Sequence, residues 1–180
     1  MQTEAHPLEP FFQQMVRNSY AGKLGMHDTA ISNYVAHLLC EFSEADKLYR
    51  VRDEEGKPIH ALDAMVRAAD PVHGTATSFD AERAVRKHIG DYALFVSGMY
   101  PESMETPRSR RQGQQSYEEL VSVGKESYYI VSQFDLEEYA DEAPMFRRLA
   151  GWFDRCTYGL RLVREELQSG KPGFLPARVN

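Results

Sequence analysis

Two side chains with acid–base chemistry lie one helical turn apart, His88 and Asp91, with Tyr92 next to them and Ser97 further along. An aspartate at that spacing could orient an imidazole as a general base, or raise its pKa. Tyr128, from a later segment, could add a hydroxyl. His88, Asp91, Ser97 and Tyr128 are therefore the candidate ligand-binding residues. Nothing near them supplies a nucleophile or an oxyanion site, so a hydrogen-bonded network in the core outweighs catalysis as a reading. Either way, a carboxylate in so apolar a stretch needs partners. Tyr hydroxyls, Arg side chains or a helix N-terminus would serve.

Weaker constellations exist. His37, Cys40 and Glu41 fall at i, i+3 and i+4 and carry zinc-ligating atoms. A closed site would need a fourth ligand, and His27 and Asp28 are the candidates. Such triplets arise often by chance, so Cys40 is expected in the core and no metal or cofactor is assigned. There are ten tyrosines. Several crowd the middle of the chain, where they could line a pocket but are expected to fill a core with their polar tips outward. The cluster Arg108, Arg110 and Arg111 could touch a phosphate or an acidic partner, and is expected to be solvated loop charge. The chain contains no Gly-rich phosphate loop, Gly-x-Ser-x-Gly, Cys-x-x-Cys, His-Glu-x-x-His or Glu-x-x-His. No catalytic motif is found.

The element that must carry Asp91 is a helix over about 79–100. Ala84, Val85, Ile89, Tyr92, Phe95, Val96 and Met99 share one broad face, and beyond Ile89 almost nothing is long and charged. Such a helix is a buried one. Its first half (Asp80, Glu82, Arg83, Arg86, Lys87) reads as solvated. Gly90 and Gly98 each cost about 1 kcal/mol against Ala in a helix, which predicts close approach of a neighbouring backbone. Gly124 lies on the buried stripe of a helix over 116–134 and is expected to face them.

Further helices are predicted over 8–20, from Asp28 or Thr29 to Phe42, and over 59–69. The last, over 145–167, has the cleanest pattern: Phe146, Leu149, Phe153, Cys156, Leu160, Val163 and Leu167 alternate steps of three and four. No strand alternation or internal repeat is found. The expectation is an all-α, irregular bundle of about six helices around the buried central one, in a single domain over 1–180, with an exposed loop over 101–115 and a surface tail over 170–180.

Charge narrows the partners. A net charge of −6 and a pI near 5.5 argue against general binding to nucleic acid or anionic membranes. No run of 18 apolar residues spans a bilayer. Two distant cysteines make no disulfide scaffold. The first residues lack the basic and apolar regions of a signal peptide, so a cytoplasmic protein is expected.

Gly90-Asp91, Leu94-Phe95, Ser97-Gly98 and Pro101-Glu102-Ser103, then Gly124, Ser127 and Tyr128, then Phe146, Leu149-Ala150 and Phe153, form a composite pattern over about residues 28–167. It resembles a family of small all-α bacterial proteins of uncharacterised function whose core helix reads Gly-Asp-x-x-Leu-Phe-x-Ser-Gly. Ser127 stands where the pattern has Ala. The resemblance implies a helical fold and no activity, cofactor or catalytic residue. The functional expectation is a non-catalytic protein acting through protein–protein contact, in a homodimer built on the stripe of the last helix. The alternative is a small-molecule or metal-binding protein, or an enzyme, with a cavity at Asp91.

Overall fold

The computed structural model describes residues 6–70, 72–104 and 116–170. Seven α-helices are present among them, and no strands: α1 Glu9–Arg17, α2 Thr29–Phe42, α3 Leu62–Ala68, α4 Phe79–Met99, α5 Tyr117–Val131, α6 Ala143–Gly151 and α7 Phe153–Gly170. The expected loop over 101–115 begins instead with a 3-10 turn, Pro101–Met104. The rest of it, with Arg108, Arg110 and Arg111, lies outside the described residues, as does the expected tail beyond Gly170.

Local chemistry sets the ends. Ser78 caps α4, its hydroxyl accepting from Ala81 N–H at 3.1 Å. Ser116 and Glu119 form a capping box at the start of α5. Asp28 caps α2 through Ile31 N–H at 3.0 Å. α1 runs past the expected end near residue 20 as a π-helical turn, Asn18–Lys23, before Gly25 takes a left-handed φ of 63°.

Helix α4 is the centre. It packs against α5 most extensively, then α7, then α3, and Ile89, Ala93, Leu94, Phe95, Val96 and Met99 are all buried. Gly90, Gly98 and Gly124 are each closely approached, but by side chains and not by the neighbouring backbone expected. A Cβ on Gly90 would lie 2.5 Å from the Tyr128 ring, and one on Gly98 would lie 2.5 Å from Leu160 Cβ of α7. One on Gly124 would lie 2.7 Å from Ala93 Cβ and 2.6 Å from Phe153 Cζ. The glycines thus admit side chains of the facing helix rather than one another.

Two expectations are corrected. The helix over 145–167 is broken at Trp152, which has φ −106° and ψ 18°. Hydrogen bonds continue on both sides, Trp152 N–H to Arg148 O at 2.8 Å and Cys156 N–H to Trp152 O at 2.9 Å, so the apolar period survives the break. Arg83, read as solvated, is 7% exposed. Its guanidinium lies 4.0 Å from the Tyr139 ring centroid and 2.7 Å from Glu142.

Candidate functional site

Asp91 and Tyr128 do meet. Asp91 projects from the buried part of α4, and Oδ1 accepts from Tyr128 Oη at 2.8 Å and also from Tyr34 Oη of α2. Oδ2 accepts from Lys87 Nζ at 3.1 Å, one turn earlier. The same ammonium lies 5.1 Å from the Tyr34 ring centroid. Aromatic edges close the surroundings: Tyr34 stands 5.3 Å from Phe146, and Tyr128 stands 6.0 Å from Phe153. One carboxylate therefore ties α2, α4 and α5 together.

The electrostatics follow. Burial, reinforced by the neighbouring carboxylate, holds the Tyr34 and Tyr128 hydroxyls well above the usual tyrosine range. They stay O–H donors at neutral pH and are poor bases. Three donors thus converge on the two oxygens of Asp91. Sequence reasoning missed Tyr34 and Lys87. Lys87 had a signal, the i, i+4 spacing to Asp91. Tyr34 had only the general need of a buried phenol for a partner.

His88 and Ser97 do not join this cluster. His88 Nε2 is 2.9 Å from Leu48 O. A carbonyl can only accept, so Nε2 carries the proton. The ring stands edge-on to Phe42 at 5.9 Å. Burial pushes its pKa below the ordinary 6.5. A depressed base stabilises the fold fully above 6.5 and loses that contribution as pH falls through the lower folded value. Urea midpoints should therefore drop from neutral pH into mild acid. His88→Gln, which keeps a donor for Leu48, should flatten that slope, and equal slopes in the two proteins would remove His88 as its origin. The carboxylates act lower. Partial burial opposes them, but Arg148, Arg50 and Arg164 hold Asp28, Glu41 and Glu102 below their ordinary 3.8 and 4.5. Ser97 Oγ lies 3.2 Å from Leu94 O and 3.3 Å from Thr157 Oγ1, so it sits in the α4–α7 crossing.

The His37, Cys40 and Glu41 triplet is split by burial. His37 is exposed, 3.6 Å from Glu41, while Cys40 is in the core with its thiol pushed by burial to about 11. Burial likewise pushes the Cys156 thiol to about 12. Neither is a thiolate at neutral pH. Among the described residues, no group of three His, Cys, Asp or Glu is placed to share an ion.

Two surface features remain. A groove of about 450 Å³ lies between Pro101–Glu102 and the last turns of α7, and Arg164 crosses it to Glu102 with two 2.7 Å bonds. At the other end of α4, the segment after α5 folds over the first turn. The Phe134 ring is 4.7 Å from the Phe79 ring, and Tyr139 Oη donates to Asp80 at 2.7 Å. Phe79 and Leu136 on this corner are 72% and 75% exposed, and Glu137 beside Leu136 has a left-handed φ of 52°.

Comparison with protein families, with curated proteins and with solved structures found no match. The resemblance of the central stretch to a bacterial family rests on its quoted residues alone. No helix among the described residues is long and apolar enough to cross a membrane.

Proposed function

We propose that this chain is a non-catalytic helical protein that works by binding another protein through the corner formed by Phe79 and Leu136. The observation that carries this reading is a contrast. Asp91, Tyr128, His88 and Ser97 hydrogen-bond internal partners, while Phe79 and Leu136, on α4 and on the segment that packs against it, stand open to solvent. Contiguous exposed apolar surface marks contact sites, and the reading takes Phe79 and Leu136 as the centre of one. The stripe of the last helix, the earlier reason to expect a homodimer, is used inside the fold: Phe146, Leu149, Phe153, Cys156, Leu160, Val163 and Leu167 are all buried.

A photo-crosslinking residue at Ala140, exposed on the same corner, tests this in cells. The expected result is a defined crosslinked protein that disappears when Phe79→Ser and Leu136→Ser are introduced. A crosslinked set that ignores both substitutions, or none at all, counts against the reading. A small molecule retained in native mass spectrometry and shed on denaturation would move the function to the core around Asp91.

A further inference from the structure

The corner has a charge as well as an apolar centre. Residues 134–142 (Phe-Asp-Leu-Glu-Glu-Tyr-Ala-Asp-Glu) hold five carboxylates and no Lys, Arg or His. Among the described residues this segment makes one ion pair, Arg83 with Glu142 at 2.7 Å. Asp135, Glu137, Glu138 and Asp141 are exposed, and among the described residues no cation lies within ion-pair distance of them. Asp80, at the edge, accepts the Tyr139 hydroxyl and adds to the same sign. The segment that packs on Phe79 through Phe134 thus carries Leu136 and these exposed carboxylates together.

Charge complementarity selects the occupant. An anionic lipid surface or a nucleic acid would be repelled. A second copy using the same corner would set these carboxylates against their own copies, since a twofold contact is self-complementary by position but not by charge. We infer that the corner docks a basic segment of a partner protein, whose apolar side chains seat on Phe79 and Leu136 while its Lys and Arg face Asp135, Glu137, Glu138 and Asp141. This rests on the interaction reading above and names the chemistry of the partner. Tyr139, held between Asp80 and Arg83, ties the loop to α4 in advance, which lowers the ordering cost of binding.

The test uses the full chain and a dye-labelled amphipathic peptide of leucine and lysine, with binding read by fluorescence anisotropy. Two control peptides replace lysine by glutamate or leucine by serine. The expected result is binding of the leucine–lysine peptide only, weakened by added salt. Phe79→Ser with Leu136→Ser should weaken it about 30-fold, as loss of a hot spot does. Glu138→Lys with Asp141→Lys should weaken it about tenfold, mainly through slower association. Both pairs are exposed, and unchanged circular dichroism confirms that the variants fold. Equal binding of the glutamate peptide, or affinity indifferent to the charge reversal, overturns the inference. So does a dimer that Phe79→Ser dissociates, or binding to phosphatidylglycerol vesicles that requires Phe79. If crosslinks at Ala140 depend on Phe79 while the lysine peptide fails to bind, the corner remains a contact site and only its basic partner falls.

Discussion

Asp91→Ala is expected to lower the free energy of unfolding by about 2–5 kcal/mol, since each buried group left without its hydrogen-bond partner costs about 1–3 kcal/mol. The loss has three parts. Tyr128, fully enclosed, loses the acceptor of its hydroxyl, and so does Tyr34. Lys87 is left without its carboxylate. That last part is small, because the Lys87 side chain is 31% exposed and water screens it. Asp91→Asn keeps an oxygen for the tyrosines but turns an NH2 group toward Lys87, and should cost about 1–3 kcal/mol. Tyr128→Phe, nearly the same shape, leaves Asp91 with Tyr34 and Lys87 and should cost about 1–2 kcal/mol. Urea midpoints at constant m-value would report these differences. If Asp91→Ala changes stability by less than about 0.5 kcal/mol, as a surface substitution would, the carboxylate is not what joins α2, α4 and α5.

Glycine substitutions should change sign with position. Gly124→Leu is expected to destabilise by at least about 3 kcal/mol, at the upper end of overpacking costs, or roughly 10 °C in Tm for a chain of this size. The neighbours decide this. Ala93 Cβ is 2.7 Å from where the first added atom would sit, and it belongs to the central helix and cannot swing away. Phe153 closes the other side. Gly151, the last residue of α6, has nothing within 4 Å of its would-be Cβ. Gly151→Ala should be neutral or should stabilise by up to about 1 kcal/mol through helix propensity. Thermal unfolding of the two variants side by side is the check. A Gly124→Leu protein as stable as wild type would mean that α4, α5 and α7 do not meet closely there.

Much of the fold was legible. The α4 pattern announced a buried helix, and its glycines announced close neighbours, because both follow from one helix's own period. Partner choice was not legible. Nothing local to Gly98 distinguishes a facing Gly124 from the Leu160 that meets it. Arg83 looked solvated because its burial depends on Tyr139 and Glu142, over 50 residues away. Phe79 and Phe134 could be read only as members of their own helices. Their contact, and the exposed corner around it, arise from the turn that follows α5. Of the candidate site residues, Asp91 and Tyr128 hydrogen-bond each other, while His88 and Ser97 bond Leu48 and Thr157, which come from other elements.

The break between α6 and α7 also determines what light reports. The chain has one tryptophan, Trp152, and it sits at that break, 37% exposed. Indole emission therefore senses a single joint, not the body of the protein. Far-ultraviolet ellipticity, by contrast, averages over every helix. The two spectroscopies sample different regions of this molecule, and only where their melting curves coincide does unfolding count as one cooperative event.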